Sequence, residues 1–199
     1  MYYSNGWGGI EVVSIDENFN KTLIEKGGLL LLYHSHLALD LKNKHLFYSA
    51  RHIIWRMDLD GSNRMQFVYS NVSYPNGLVV LHQGRKLCWL DHGRRELSCI
   101  GLDQRNRRVV YDNIQASPSC MTALNEKRFY WTTFTEKKVH SVSISGEGYT
   151  TFEVQNARLI HDVKDMTENC LSVETECAVN NGGCPHMCLP KTDGGVSCF

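Results

Sequence analysis

The chain has 199 residues, with 21 Lys plus Arg against 21 Asp plus Glu, 42% hydrophobic and 21% charged residues. This composition supports a packed core rather than disorder. Zero net charge argues against general binding to nucleic acid or acidic membranes, and the longest wholly apolar run, residues 29–33, falls far short of the roughly 20 residues that span a bilayer.

Met1 is followed by an aromatic, polar stretch with neither the basic nor the apolar segment of a signal peptide. An export signal, if the chain is secreted, is therefore expected upstream of it. The first repeat unit begins at once. Four tetrapeptides, Tyr2-Tyr3-Ser4-Asn5, Phe47-Tyr48-Ser49-Ala50, Cys88-Trp89-Leu90-Asp91 and Tyr130-Trp131-Thr132-Thr133, share an aromatic-rich start, and their first residues lie 45, 41 and 42 positions apart. Each is followed by a short polar turn and an alternating run, at residues 10–16, 54–60, 97–103 and 139–145. Alternation with a period of two predicts strands rather than helices.

Gly- and Asn-rich turns follow, such as Asp60-Gly61-Ser62-Asn63 and Ser145-Gly146-Glu147-Gly148, and then short strands at 66–69 and 108–111. Another apolar strand precedes each later tetrapeptide, at 37–41, 77–81 and 120–124, and a last one is expected at 159–163. A unit of four strands recurring every 40-odd residues is the pattern of a β-propeller blade. The predicted fold class is all-β, with sixteen strands in 1–168, four blades' worth, and a small disulfide-rich module in 170–199.

Eight cysteines punctuate this order. Cys88, Cys99 and Cys120 lie among the blades; Cys170, Cys177, Cys184, Cys188 and Cys198 crowd the tail. Paired zinc knuckles are missing and His186 has no second histidine at ligand spacing, so the tail reads as disulfide-bonded, in an oxidising compartment. The sequons Asn20-Lys21-Thr22 and Asn71-Val72-Ser73 agree with that compartment and make Asn20 and Asn71 candidate glycosylation sites.

The degenerate aromatic motif and the Leu-Asp-Gly-Ser turn resemble the low-density-lipoprotein-receptor class B (YWTD) β-propeller. Within that class Leu87-Cys88-Trp89-Leu90-Asp91, with Cys99 in the next strand, is most similar to the basement-membrane nidogens. The run Cys177-Ala178-Val179-Asn180-Asn181-Gly182-Gly183-Cys184-Pro185-His186-Met187-Cys188 resembles the EGF-like module that follows such propellers. The resemblance implies six blades in the whole domain, with two lying upstream, and an EGF-like module cut short. It also implies bonds Cys177–Cys188 and Cys184–Cys198, and no calcium site or other cofactor. Cys88 and Cys99 on adjacent strands read as a cross-strand disulfide or as two buried thiols, with Cys120 and Cys170 as the remaining pair.

Propellers present ligands on one face, made from the loops entering the innermost strands and those between second and third strands. Here these loops hold Trp7, Arg51, His52, Tyr74, His92, Arg94, Arg95, Phe134 and Glu136, and exposed aromatics and arginines are favoured interface anchors. In nidogens this surface is similar in role to the laminin-binding site. Tyr3, Tyr48, Trp89 and Trp131 read as core.

The expected function is an extracellular, secreted basement-membrane adhesion module with a laminin-type protein ligand and no enzymatic activity. The alternatives are the ectodomain of a related endocytic or signalling receptor, and a metal-dependent propeller lactonase drawing on Asp40, Asn76 and Asp162. Two further features have plainer explanations: His34, His36, His52 and His92 as solvated loop histidines rather than a pH switch, and the 105–108 basic run as a solvated outer turn rather than a heparan-sulfate site.

Overall fold

The computed structural model describes residues 1–5, 8–14, 19–25, 36–158, 160, 162–164 and 174–199. Their regular structure is strands and one 3₁₀ turn at Asn180–Gly183. The first blade is β1 (Tyr2–Ser4), β2 (Ile10–Val13) and β3 (Asn20–Ile24). Blade two comprises β4 (Leu37–Asp40), β5 (His45–Ala50), β6 (Ile53–Asp58) and β7 (Met65–Val68). Blade three comprises β8 (Pro75–Leu81), β9 (Lys86–Asp91), β10 (Glu96–Gly101) and β11 (Arg108–Tyr111). Blade four comprises β12 (Pro118–Leu124), β13 (Arg128–Thr133), β14 (Lys138–Ser143) and β15 (Thr150–Glu153). Each sheet follows chain order, and a final hairpin pairs β16 (Cys188–Pro190) with β17 (Val196–Cys198). Among the described residues no helix is long and apolar enough to cross a membrane.

The strand expected at 159–163 is not seen: Ile160, Asp162 and Val163 are outside regular structure, and positions 159 and 161 lie outside the described residues. The expected boundary at 168–170 falls outside them too. The chain divides into two compact units, residues 1–67 with 171–199, and residues 68–170.

In the first unit, Ile10, Leu46, Tyr48, Ile54 and Met57 are completely buried. The EGF-like hairpin packs on the same unit, with Met187 and Leu189 against Val12. Polar ties reinforce this seat: Thr192 donates to Asp58 at 2.8 Å, Ser197 to Asp60 at 2.5 Å, and Lys44 pairs with Glu176 at 2.7 Å. The Lys21 ammonium lies 3.2 Å from the Phe199 ring centre. Disulfides Cys177–Cys188 and Cys184–Cys198 close the module.

In the second unit, Cys88 and Cys99 stand directly opposite in the β9–β10 register and are bonded. Around them pack Leu90, Leu97, Met121, Phe129, Trp131 and Val142. Cys120 departs from expectation. It is a buried free thiol that donates to Asp162 at 2.7 Å, and burial followed by that carboxylate pushes its pKa up. Cys170, its expected partner, lies outside the described residues.

The motif aromatics Tyr48, Trp89 and Trp131 are at most 1% exposed. In blades two to four the residue just before the outermost strand lies against the motif ring of its own blade. Arg64, before β7, lies 5.6 Å from Tyr48 and 4.4 Å from Trp55; Arg107, before β11, lies 5.0 Å from Trp89. Tyr149, before β15, takes the same place at 6.0 Å from Trp131. Tyr3 corrects the core assignment: it is 37% exposed and donates to Glu11 at 2.6 Å. Among the described residues its strand is paired on one side, by β2, whereas β5, β9 and β13 are paired on both.

Candidate protein-binding face

Antiparallel order brings four loops of the second unit to one end of blades three and four. They are the segment entering β8, the β9–β10 turn, the segment entering β12 and the β13–β14 turn. Tyr74 and Phe134 are 54% and 38% exposed there, and His92, Arg94 and Arg95 are also exposed.

Asp91, the last residue of the tetrapeptide, organises the blade-three part. Fully buried, its carboxylate accepts from the Ser73 N–H at 2.7 Å and the Arg94 N–H at 3.0 Å. Burial raises its pKa, opposed by those two backbone donors. Parallel ties run from the His92 N–H to the Tyr74 carbonyl and from the Gly93 N–H to the Ser73 carbonyl, each 3.0 Å. Gly93 permits this approach, because a Cβ there would lie 2.3 Å from Ser73 Oγ.

This network holds Tyr74 at φ +61°, a left-handed conformation that costs a bulky residue about 1–3 kcal/mol and persists only when its surroundings impose it. The Tyr74 and His92 rings lie 6.4 Å apart. Arg94 Nε donates to Glu96 at 3.0 Å, and Glu96 also accepts from Ser98 at 2.9 Å.

The two blades join at this end. Asn76 Nδ2 donates to the Pro118 carbonyl at 3.2 Å, and Gly77, at φ +53°, lets β8 come so close that a Cβ would meet Met121 at 2.9 Å. The Phe134 N–H donates to the Ser117 carbonyl at 3.0 Å.

Tyr74, His92, Arg94 and Arg95 thus share adjoining loops of blade three, with Phe134 and Glu136 on the neighbouring turn of blade four. Glu136 is engaged internally, 3.0 Å from His140 Nε2 and bonded to Thr133. Arg51 and His52 occupy the β5–β6 turn of the other unit, exposed, with Arg51 at φ +50°. Trp7 and His34 lie outside the described residues. Asn20 and Asn71 are both exposed.

Two strand histidines, His45 on β5 and His140 on β14, have their pKa values lowered chiefly by burial. His140 Nδ1 lies 2.8 Å from the Tyr149 hydroxyl, and its ring stacks 5.4 Å from Trp131. Arg107 is no solvated outer residue. Besides covering Trp89 it donates to the Ser70 and Asn71 carbonyls, both at 2.6 Å. Arg108 donates to the Ile144 carbonyl at 2.7 Å.

The residues considered for a lactonase have other partners. Asp40 accepts from Asn43, Asn76 donates to Pro118, and Asp162 accepts from Cys120 and the Val163 N–H. Among the described residues no three His, Cys, Asp or Glu side chains are grouped to hold a metal ion. Asp91, Gly93 and Arg107 were not singled out from sequence as builders of this face. Asp91 alone had a signal, its place at the end of the tetrapeptide.

No family model matches the sequence. The chain is 28% identical over 148 residues to the Drosophila melanogaster protein Nidogen, covering 71% of this chain and 11% of that protein. It is 30% identical over 148 residues to the Homo sapiens Low-density lipoprotein receptor-related protein 5, covering 73% and 9%. The chain thus spans about a tenth of the length of the curated relatives it matches. Among solved structures, a nidogen/laminin complex superposes with TM-score 0.68 at 18% identity, over 77% of this chain and 60% of that one. A luciferin-regenerating enzyme superposes with TM-score 0.59 at 13% identity, over 78% and 59%. At these identities the two superpositions speak for the fold alone. Its repeated motif, its meandering four-stranded blades and its two C-terminal disulfides make the chain a run of YWTD-type β-propeller blades with an EGF-like module behind them, similar to Nidogen and to the receptor-related protein.

Proposed function

We propose that this extracellular propeller segment is a non-enzymatic adhesion module of the basement membrane, which binds a laminin-type protein through the loop end of its blades. The observation carrying this reading is Tyr74, an exposed aromatic kept in a strained conformation by the buried Asp91 and flanked by His92 and Arg94. A rigid aromatic beside an arginine suits a protein loop with apolar and acidic groups, since little freedom remains to be lost on binding. Similarity to Nidogen and the likeness to a nidogen/laminin complex support laminin as the first ligand to test.

The test is titration of a laminin short-arm fragment against the chain and against Tyr74→Ala. A complex at or below micromolar Kd is expected, weakened by about tenfold or more in the variant, as hot-spot aromatics behave. No complex at micromolar concentrations overturns the laminin reading. Similarity to the receptor-related protein favours a second reading, a receptor ectodomain. Receptor ligand-binding repeats or a membrane span in the flanking sequence would support it. Lactone turnover abolished by a chelator would overturn the non-enzymatic reading.

A further inference from the structure

We infer that Asn71 carries an N-linked glycan, held at the rim of the binding face so that it shields Tyr69 and the outer side of Tyr74. The sequon Asn71-Val72-Ser73 has the hydroxyl residue at its third position and no proline at its second. Disulfides in both units agree with passage through an oxidising secretory compartment, where such sequons meet the transferase.

The loop's geometry turns the modification into a positional device. Arg107 grips the Ser70 and Asn71 carbonyls at 2.6 Å, Val72 is buried at 9% exposure, and the Ser73 N–H is tied to Asp91 at 2.7 Å. Within residues 71–74 only Asn71 and Tyr74 are exposed. Asn71, at φ +53°, therefore presents its side chain to solvent from a backbone fixed on both sides. It lies three positions from Tyr74 and two from Tyr69, so at about 3.3–3.6 Å per residue both tyrosines fall within roughly 11 Å along the chain. Those two rings are 54% and 66% exposed, the largest open aromatic surfaces around the loop. A branched sugar between them covers apolar surface that would otherwise invite association. It also leaves open the side of Tyr74 that faces the His92 ring, 6.4 Å away, as the approach to the face.

Chemically, Asn71 Nδ2 attacks the anomeric carbon of a lipid-pyrophosphate-linked oligosaccharide. An N–C bond forms, the C–O bond to pyrophosphate breaks, the amide gives up one proton, and lipid pyrophosphate leaves. The consequence for partner approach rests on the proposed function; the modification and the shielding do not.

The experiment uses the chain secreted from eukaryotic cells. Peptide mass measurement before and after peptide N-glycosidase is expected to show Asn71 occupied, with conversion to Asp on release of the sugar. An unmodified Asn71 overturns the inference. Hydroxyl-radical labelling of the folded protein is then compared with and without enzymatic removal of the sugar. Labelling of Tyr69 and Tyr74 is expected to rise about twofold on removal, as a bulky surface sugar withdraws, with Tyr111 unchanged. Equal labelling of Tyr69 and Tyr74 in both forms overturns the shield. An Asn20→Gln variant, which alters the other sequon in the first unit, should leave the labelling as it is; a change there would overturn assignment to Asn71. Failure of both glycoforms to bind the laminin fragment would sink the functional reading alone, while occupancy and labelling still decide this one.

Discussion

In blade three, Trp89 and its neighbours Leu87, Cys88, Leu90 and Asp91 are all 0% exposed; in blade one, Tyr3, at the same place in the repeat, is 37% exposed. Trp89 sits on a strand paired on both sides, under the Arg107 guanidinium, beside a cross-strand disulfide. Among the described residues Tyr3 sits on a strand paired on one side, and its hydroxyl donates to Glu11. The comparison teaches that the repeated aromatic is not a core residue by chemistry. It becomes one when strands flank it on both sides and a side chain from the outer strand closes over its ring.

The largest expected effect breaks that contrast directly. Trp89→Ala should cost about 3–5 kcal/mol, the usual loss for a buried tryptophan, whereas Tyr3→Ala should stay within about 1 kcal/mol. Urea midpoints of the two variants against the parent measure both, and equal costs would refute the comparison. Next comes the disulfide. Paired Cys88→Ala and Cys99→Ala should cost up to about 3 kcal/mol, from the chain entropy that a separation of 11 residues returns to the unfolded state. Blade one has no such bond among its described residues, so reductant should shift the midpoint of the second unit while any shift in the first comes from its EGF-like module.

Asp91→Ala should cost about 1–3 kcal/mol, because the Ser73 and Arg94 N–H groups lose their acceptor. The readout that separates this from simple destabilisation is amide exchange. Protection at His92 and Gly93 should fall more than protection in the centre of β9.

The smallest effect concerns pH. Burial holds the His140 pKa below its ordinary 6.5, against the pull of Glu136, so the folded state takes up a proton less readily than the unfolded one. That contribution to stability is complete above about pH 6.5 and declines as the pH falls below it. The urea midpoint of the second unit should therefore drop between about pH 7.5 and pH 5.5, and His140→Gln should flatten the change. A midpoint that rises on acidification would contradict the sign.

The tetrapeptides announce β1, β5, β9 and β13, and the alternating runs announce β2, β6, β10 and β14. The runs at 54–60, 97–103 and 139–145 each extend two residues past the C-terminal end of their strand, and the run at 10–16 ends outside the described residues. Asp58 and Gly101 end β6 and β10 because turns close there, through the Gly61 N–H to Asp58 and the Gln104 N–H to Gly101. The loops carrying Tyr74, His92, Arg94 and Phe134 were legible for the same reason: once strand order is known, the direction of each strand assigns every loop to one end. The roles of Glu136 and Arg107 were not legible. Their sequence neighbourhoods are polar turns, and nothing local says that one carboxylate reaches His140 or that one guanidinium lies on Trp89.

The sequence by itself determined the strands, their grouping into blades and the module behind them, because those depend on alternation, turn residues and cysteine spacing within some 40 positions. Only the tertiary structure decided which aromatic is sealed and which is open, that Cys120 keeps its thiol against Asp162, and that Asp91 ties two loops into one surface. Periodicity fixes the side of a strand on which a residue stands. What meets it there comes from another strand or loop, whose distance along the chain carries no periodic signal.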